Sequence, residues 1–317
     1  MPVLCRATDR CPQRDARVTF RIHLLAISSL LGVLGCVDAE PRSDDGAIVD
    51  DLGRAVTVDA PPSRIVALVP SITDLILALG ESDRLVARTR YDTDPRLAAL
   101  PAVGGGLDPN IEAIIGLRPD LVIVWPSADQ PLIAHLEATG IAVYGAGSQS
   151  LEDQERHTRQ IGRLLGIAGR VDSLLAYIDS SFAALAMALA DVPVVSALYV
   201  AWHDPPMTTG PGTFVDSIMT VAGGRNVFDD ATADWPQVNM EEIVTRDPDV
   251  LILPVPDAGD SATIAWVHLT PGWRDLRAVK TGKLLLVDSE LFSRPGPRII
   301  DAATQLAELL HPGMIGP

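Results

Sequence analysis

Apolar spacing sets the frame of this chain. From Arg170 to Ala190 the residues Val171, Leu174, Leu175, Ile178, Phe182, Leu185 and Leu189 recur at helical intervals, with no Gly or Pro inside the run. Gly169 precedes it and Pro193 follows, so the pattern predicts one continuous helix of about 30 Å at ~1.5 Å rise per residue. Short apolar runs alternate with amphipathic stretches on both sides of it. Before it come RIVALV from Arg64, LVART from Leu85, LVIVW ending at Trp125 and IAVYG from Ile141, read as strands, with helices expected over 71–79, 110–117, 131–138 and 151–165. Ser150 and Asp153 form a capping box at the start of the last of these. After it come the strands VVSALYVA from Val194, VLILPV from Val250 and LLLVD from Leu284, and helices over 213–222, from Asn239 onward and over 298–310. Asp51-Leu52-Gly53-Arg54 reads as a turn between two short extended pieces. Strands alternating with helices imply largely parallel sheets covered on both faces.

The chain also says nearly the same thing twice. Asn110 to Val124 reads NIEAIIGLRPDLVIV and Asn239 to Leu253 reads NMEEIVTRDPDVLIL, at a constant offset of 129 positions. A chain of 317 residues exceeds the size at which single cores stop growing. The expected fold is therefore α/β: two parallel-sheet, three-layer lobes joined by one long rigid helix. The first lobe is expected over 48–167, the interdomain helix over 168–191 and the second lobe over 192–317.

The N-terminal stretch has a different character. Residues 24–35, LLAISSLLGVLG, follow Arg17, Arg21 and His23 and end at Gly35-Cys36. Twelve apolar residues are too few to span a bilayer, which needs roughly 20. A basic segment, a short apolar core and a small residue before the break form the signal-peptide pattern, and with Cys36 at the break the stretch resembles a bacterial lipoprotein signal. Residues 1–36 are the expected signal, Cys36 the lipidation site and 37–47 an acidic tether; an ordinary signal cleaved nearby is the alternative. Residues 1–17 hold Asp9, Asp15 and two cysteines, which suits a true start at Val18. Cys5, Cys11 and Cys36 all precede the folded part, so no disulfide framework is expected there. The formal net charge is −16, and because residues 1–35 hold five Arg against two Asp the remainder carries about −19. Such a surface repels phosphate backbones, which excludes nucleic acid as a partner.

Enzyme motifs are missing. No G-x-S-x-G or H-E-x-x-H occurs, and Gly104-Gly105-Gly106 runs into Leu107-Asp108-Pro109, so it reads as a turn ahead of a helix and not as a phosphate cradle. His203, beside Trp202 and Asp204, reads as a solvated loop residue. Aromatic positions are more informative, because ligands of open α/β sheets sit beyond the carboxyl ends of the strands. Trp125 and Trp202 follow strands directly, Tyr91 follows the LVART run, and Trp235 in DWPQV and Phe292 in LFSRPGPR fall in equivalent loops of the second half. Trp273 sits in a short helical segment and is assigned to the core.

The stretches RIVALVPSITDLILALG, DPNIEAIIGLRPDLVIVW, DPPMTTG, DWPQVNMEEIVTRDPDVLIL and SRPGPRIIDAATQLAELL resemble the cobalamin-binding substrate-binding proteins of ABC importers, within the group that also carries ferric-siderophore and haem binders. The resemblance implies two lobes bridged by a single helix, with the ligand between them and no catalysis. It sets Tyr91, Trp125, Trp235, Phe292 and Arg294 along the cleft, with Met207 at a position that is aromatic in the family pattern, and it maps the two permease-docking glutamates onto Glu112 and Glu241. Gly106 and Leu291 also stand where the pattern has aromatics, and Trp202 would compensate from the neighbouring loop. The implied partners are a membrane permease dimer and a small molecule, with the membrane reached through a lipid anchor. The implied state is an exported, periplasmic or cell-surface monomer without cofactor or metal of its own. Two alternatives stay open: a ferric-siderophore or haem carrier, in which Arg88, Arg90 and Arg294 meet acidic groups or Tyr91 meets iron, and a secreted hydrolase.

Overall fold

The computed structural model describes residues 48–127, 130–256 and 261–315. The expected signal, tether and lipidation site at Cys36 lie outside the described residues.

The chain opens with an antiparallel pair, β1 (Ile48–Val49) and β2 (Ala55–Val56), around the expected turn. Asp50 fixes that turn: its carboxylate accepts from the backbone N–H of Leu52 and Arg54 and, at 3.0 Å, from Gly145. The first lobe then consists of β3 (Ile65–Ala67), α1 (Pro70–Ala78), α2 (Ile111–Gly116), β4 (Leu121–Val124), α3 (Gln130–Ala138), β5 (Ala142–Gly145) and α4 (Leu151–Leu165). Its strands run parallel in the order β3-β4-β5, with Val66 beside Val122 and Val122 beside Val143. Successive strand residues point to opposite faces. Ile65, Ala67, Leu121, Ile123 and Tyr144 meet α1 and α4 in one apolar cluster, while Val66, Val122, Val124 and Val143 meet α2 and α3 in another.

Next comes α5 (Ala168–Ala188), the long helix. It contributes Val171 and Leu175 to the first lobe's core and Ile178, Leu185 and the capping Leu189 to the second's. By length and hydropathy this helix would also cross a membrane; here the residues just named lie in the two cores, while Tyr177 and Met187 on its other side are exposed. The approach to α4 is close, since a Cβ on Gly162 would lie 2.3 Å from Val171 Cγ2.

The second lobe comprises β6 (Val195–Tyr199), β7 (Trp202–His203), β8 (Pro206–Met207), α6 (Phe214–Val221), β9 (Gly224–Asn226), α7 (Met240–Arg246), β10 (Val250–Val255), α8 (Ser261–Leu269), α9 (Arg277–Lys280), β11 (Leu284–Asp288), α10 (Ser289–Ser293) and α11 (Ile299–Leu310). Its parallel sheet has the order β11-β10-β6-β9. Ala197, Tyr199, Val250, Ile252 and Val287 face α5, α6 and α11, and Leu198, Val200, Leu251 and Leu253 face α7, α8 and Trp273. Each lobe thus has three layers.

The repeat is structural as well as textual. Asn110 caps α2 through the N–H of Ala113, and Asn239 caps α7 through the N–H of Glu242. Both units then turn through a left-handed residue before their proline, Arg118 at φ 49° and Asp247 at φ 42°. The following acids play the same part: Asp120 accepts from Ser63 and the N–H of Arg64 ahead of β3, and Asp249 accepts from Ser196 in β6.

Three expectations are corrected. The LVART run is not a strand: Val86 N–H bonds Ile65 O once, after which Arg88 pairs with the 101–103 segment, so no ladder forms. The stretch around Trp202 and Met207, expected as strand end and loop, forms the β7–β8 hairpin, in which those two residues are paired. Phe292 is not in an open loop. Asp288 caps α10 through the N–H of Glu290, which turns Leu291 and Phe292 inward, and the Phe292 ring stacks 6.3 Å from Tyr199 at 1% exposure.

Candidate functional site

A hollow of about 560 Å³ opens at the carboxyl ends of the first lobe's strands. Trp125, immediately after β4, forms one wall, and Tyr91 and Leu107 rise from the loops that follow the paired segments around Arg88 and 101–103. Ser293, Arg294 and Pro295, continuing from α10, approach from the second lobe. Tyr91 and Leu107 are 53% and 83% exposed, so both present apolar surface that the protein itself does not cover.

The glycine run explains how Trp125 is held. A Cβ on Gly106 would stand 2.5 Å from Leu68 O and 2.6 Å from Trp125 Nε1. The indole occupies the volume that any side chain at 106 would need. The position where the family resemblance leads one to expect an aromatic is therefore filled by Trp125 leaning over a glycine.

The arginines near the hollow are engaged, apart from the buried Arg88 Nε, which has no partner among the described residues. Arg90 pairs with Asp108, with its guanidinium 5.8 Å from the Tyr91 ring. Arg88 donates to Thr89 O at 3.2 Å. Arg294 crosses between the lobes: its Nη2 donates to Tyr91 O at 2.6 Å and to Glu290 at 3.3 Å, and its Nη1 lies 3.9 Å from Asp74. Burial pushes the Asp74 carboxyl above its ordinary range, and the Arg294 charge opposes that shift.

The remaining expected residues lie elsewhere. Trp235 is half-buried against α6, its ring 6.1 Å from Phe214, and its Nε1 donates to Gln149 of the first lobe at 2.8 Å. Trp202 and Met207 sit on the β7–β8 hairpin, and Trp202 lines a separate hollow together with His203 and Trp266. Phe292 supports the second core and presents no ring to the cleft. Trp273 is buried, as its segment implied. Leu107 and Trp266 were not singled out by sequence. The run GGGLDP carried the only signal for Leu107, since a glycine turn leaves the next side chain without neighbours to pack on. Glu112 and Glu241 are exposed in the first turns of α2 and α7, and neither joins an ion pair among the described residues. Among the described residues no group of His, Cys, Asp or Glu is arranged to hold a metal ion.

Two three-layer lobes that share one long helix, with an aromatic hollow at the strand ends between them, define a two-lobed α/β binding protein. The chain belongs to the periplasmic binding protein family, matching it over residues 65–291. It is 30% identical over 269 residues to a cobalamin-binding protein of Halobacterium salinarum, covering 83% of this chain and 73% of that one. It is also 30% identical over 273 residues to an uncharacterized ABC transporter substrate-binding lipoprotein of Bacillus subtilis, covering 84% and 85% respectively. Among solved structures, a periplasmic vitamin B12 binding protein of Vibrio cholerae superposes with a TM-score of 0.64 at 26% identity, over 79% of this chain and 97% of that one.

Proposed function

We propose that this protein is the substrate-binding component of an ABC importer, anchored outside the cytoplasmic membrane through Cys36, and that it captures a corrinoid and delivers it to a permease dimer docked on Glu112 and Glu241. The observation that carries the ligand reading is the chemistry of the hollow. It offers flat and apolar surface from Trp125, Tyr91 and Leu107, while Arg90 is paired with Asp108, Arg294 is bonded to Tyr91 O, and Arg88 is not part of its lining. A corrin macrocycle is a broad, partly apolar plate edged with amides, and it needs that surface more than it needs fixed charge. A ferric siderophore would instead draw on the arginines. Kinship with the cobalamin-binding protein of Halobacterium salinarum supports the same choice.

Titrating the protein with cyanocobalamin, ferric siderophores and haem, followed by intrinsic tryptophan fluorescence, tests this reading. Burying one large aromatic is worth ~1.5 to 3 kcal/mol, or about ten- to a hundredfold in dissociation constant. Trp125→Ala is expected to weaken cobalamin binding by that order, and Arg88→Ala and Arg90→Ala to change it little. No cobalamin binding at micromolar concentration, with uptake of a ferric siderophore that the arginine variants lose, would overturn the corrinoid reading.

A further inference from the structure

The second lobe carries its own hollow, of about 410 Å³, at the carboxyl ends of β6 and β10. A ladder of rings builds it. Trp202 stacks on His203 at 5.4 Å and 25°, His203 meets Trp266 at 4.4 Å, and Trp266 rests on the buried Trp273 at 5.2 Å. Leu253 and Pro254 from β10 complete the wall. The outermost ring is the unusual one. Trp202 is 56% exposed, yet its orientation is fixed twice, by the stack on His203 and by its Nε1 donating to Asp204 O at 2.9 Å. Among the described residues no Lys, Arg, Asp or Glu lines this hollow, so the surface they form suits a flat, uncharged group.

Like the hollow of the first lobe, it lies at the carboxyl ends of strands. Ligands of parallel sheets collect at the carboxyl ends of strands. Because β10 lies between β11 and β6, these strand ends stand about two strand spacings, roughly 10 Å, from the end of β11. From there α10 runs into Ser293, Arg294 and Pro295, which border the first hollow.

We infer that the Trp202–His203–Trp266 hollow is a second subsite, one that takes the planar heteroaromatic base carried on a corrinoid's nucleotide side chain while the macrocycle lies against Trp125 and Tyr91. The inference rests on the corrinoid reading above and adds the part of the ligand that discriminates complete corrinoids from base-free ones.

Calorimetric titration of wild type, Trp202→Ala, Trp202→Phe and His203→Ala with cyanocobalamin and with dicyanocobinamide, which lacks the base, tests it. Trp202→Ala is expected to weaken cyanocobalamin about tenfold, the order of one lost aromatic stack, and to leave dicyanocobinamide within twofold of wild type. Trp202→Phe should recover most of the loss, and His203→Ala should show a smaller loss with the same selectivity. Thermal midpoints of the variants, compared with wild type, separate binding effects from unfolding. Equal losses for both corrinoids, or none for either, would overturn the subsite while leaving the corrinoid reading intact. Failure of the wild type to bind either corrinoid would overturn both.

Discussion

Gly106→Ala is the smallest change that tests how the site is built. The added methyl would lie 2.5 Å from Leu68 O and 2.6 Å from Trp125 Nε1, closer than nonbonded carbon approaches either atom. Leu68 is fully buried and its N–H is bonded to Ile123 O at 2.8 Å, so the residue that carries the clashing carbonyl is held at the end of β3 and yields little. The 104–108 loop and the indole have to move instead. Overpacking of this kind costs about 1 to 3 kcal/mol. The displaced indole then offers the ligand a different surface, and an equal loss of binding free energy corresponds to about five- to a hundredfold in dissociation constant. Urea unfolding and cobalamin calorimetry of Gly106→Ala, Trp125→Ala and the double variant form a cycle. With the indole absent, half of the clash disappears, so the two losses should be less than additive by ~0.5 kcal/mol or more. Gly106→Ala with wild-type stability and affinity, or strictly additive losses in the double variant, would refute the account of Trp125 leaning over a glycine.

Three further expectations follow from other parts of the molecule. Charge reversal at both Glu112 and Glu241 should impair uptake without changing ligand affinity, with single reversals milder, because exposed charge pairs are worth only ~0 to 1 kcal/mol and act mainly on steering; a double variant that transports normally would reduce them to helix-terminal acids. Cys36→Ser should release the protein from the membrane fraction, and unchanged membrane association would count against lipidation. Stability should fall in acid through Asp120 and Asp249. For Asp120, burial raises the carboxyl but the bonds from Ser63 and Arg64 outweigh it; for Asp249, the Ser196 and Arg277 bonds lower it directly. Both sit below the ordinary range, so the unfolded chain binds their protons first. Their contribution is complete above about pH 4 and is lost as pH falls through the lower folded values. Asp120→Asn and Asp249→Asn should flatten that acid limb in pH-dependent urea titrations, and an unchanged limb would remove these two acids from the explanation.

What sequence made readable was periodicity. The apolar spacing of the long helix placed it within two residues of Ala168–Ala188, and the offset repeat exposed the shared cap, turn and strand of 110–124 and 239–253. Short-range capping signals held as well, as at Ser150 and Asp153. The aromatic residues were harder, because sequence gives the strand after which a ring falls but not the direction it points. Trp125 and Tyr91 reach the hollow. Phe292 does not, because two apolar neighbours after a capping Asp were enough to wind α10 and draw the ring into the core. Trp202, expected at a strand end, sits instead in the β7–β8 hairpin and faces another cavity, since that hairpin is only two residues long on each side and has no periodicity to read. Gly106 could be recognised as a departure, yet its meaning depends on Trp125 being adjacent in space.

Arg294 and Tyr91, which line the hollow, also help to hold the lobes together, and this links binding to domain movement. Arg294 of the second lobe donates to Tyr91 O, while Trp235 Nε1 and the N–H of Phe214 both donate to Gln149 of the first lobe. Widening the cleft has to break these bonds, at about 0.5 to 1.5 kcal/mol for each neutral one and about 1.5 to 3 kcal/mol for the one from Arg294. The long helix α5 also resists, because its apolar residues belong to both cores and neither lobe swings far without uncovering Ile178 or Leu175. The available motion is therefore a small opening that breaks the Arg294 and Gln149 contacts while α5 bends little. On the proposed reading, a ligand resting on Tyr91 would sit beside the carbonyl that accepts the Arg294 bond, so its arrival and departure would act on a contact that joins the two lobes.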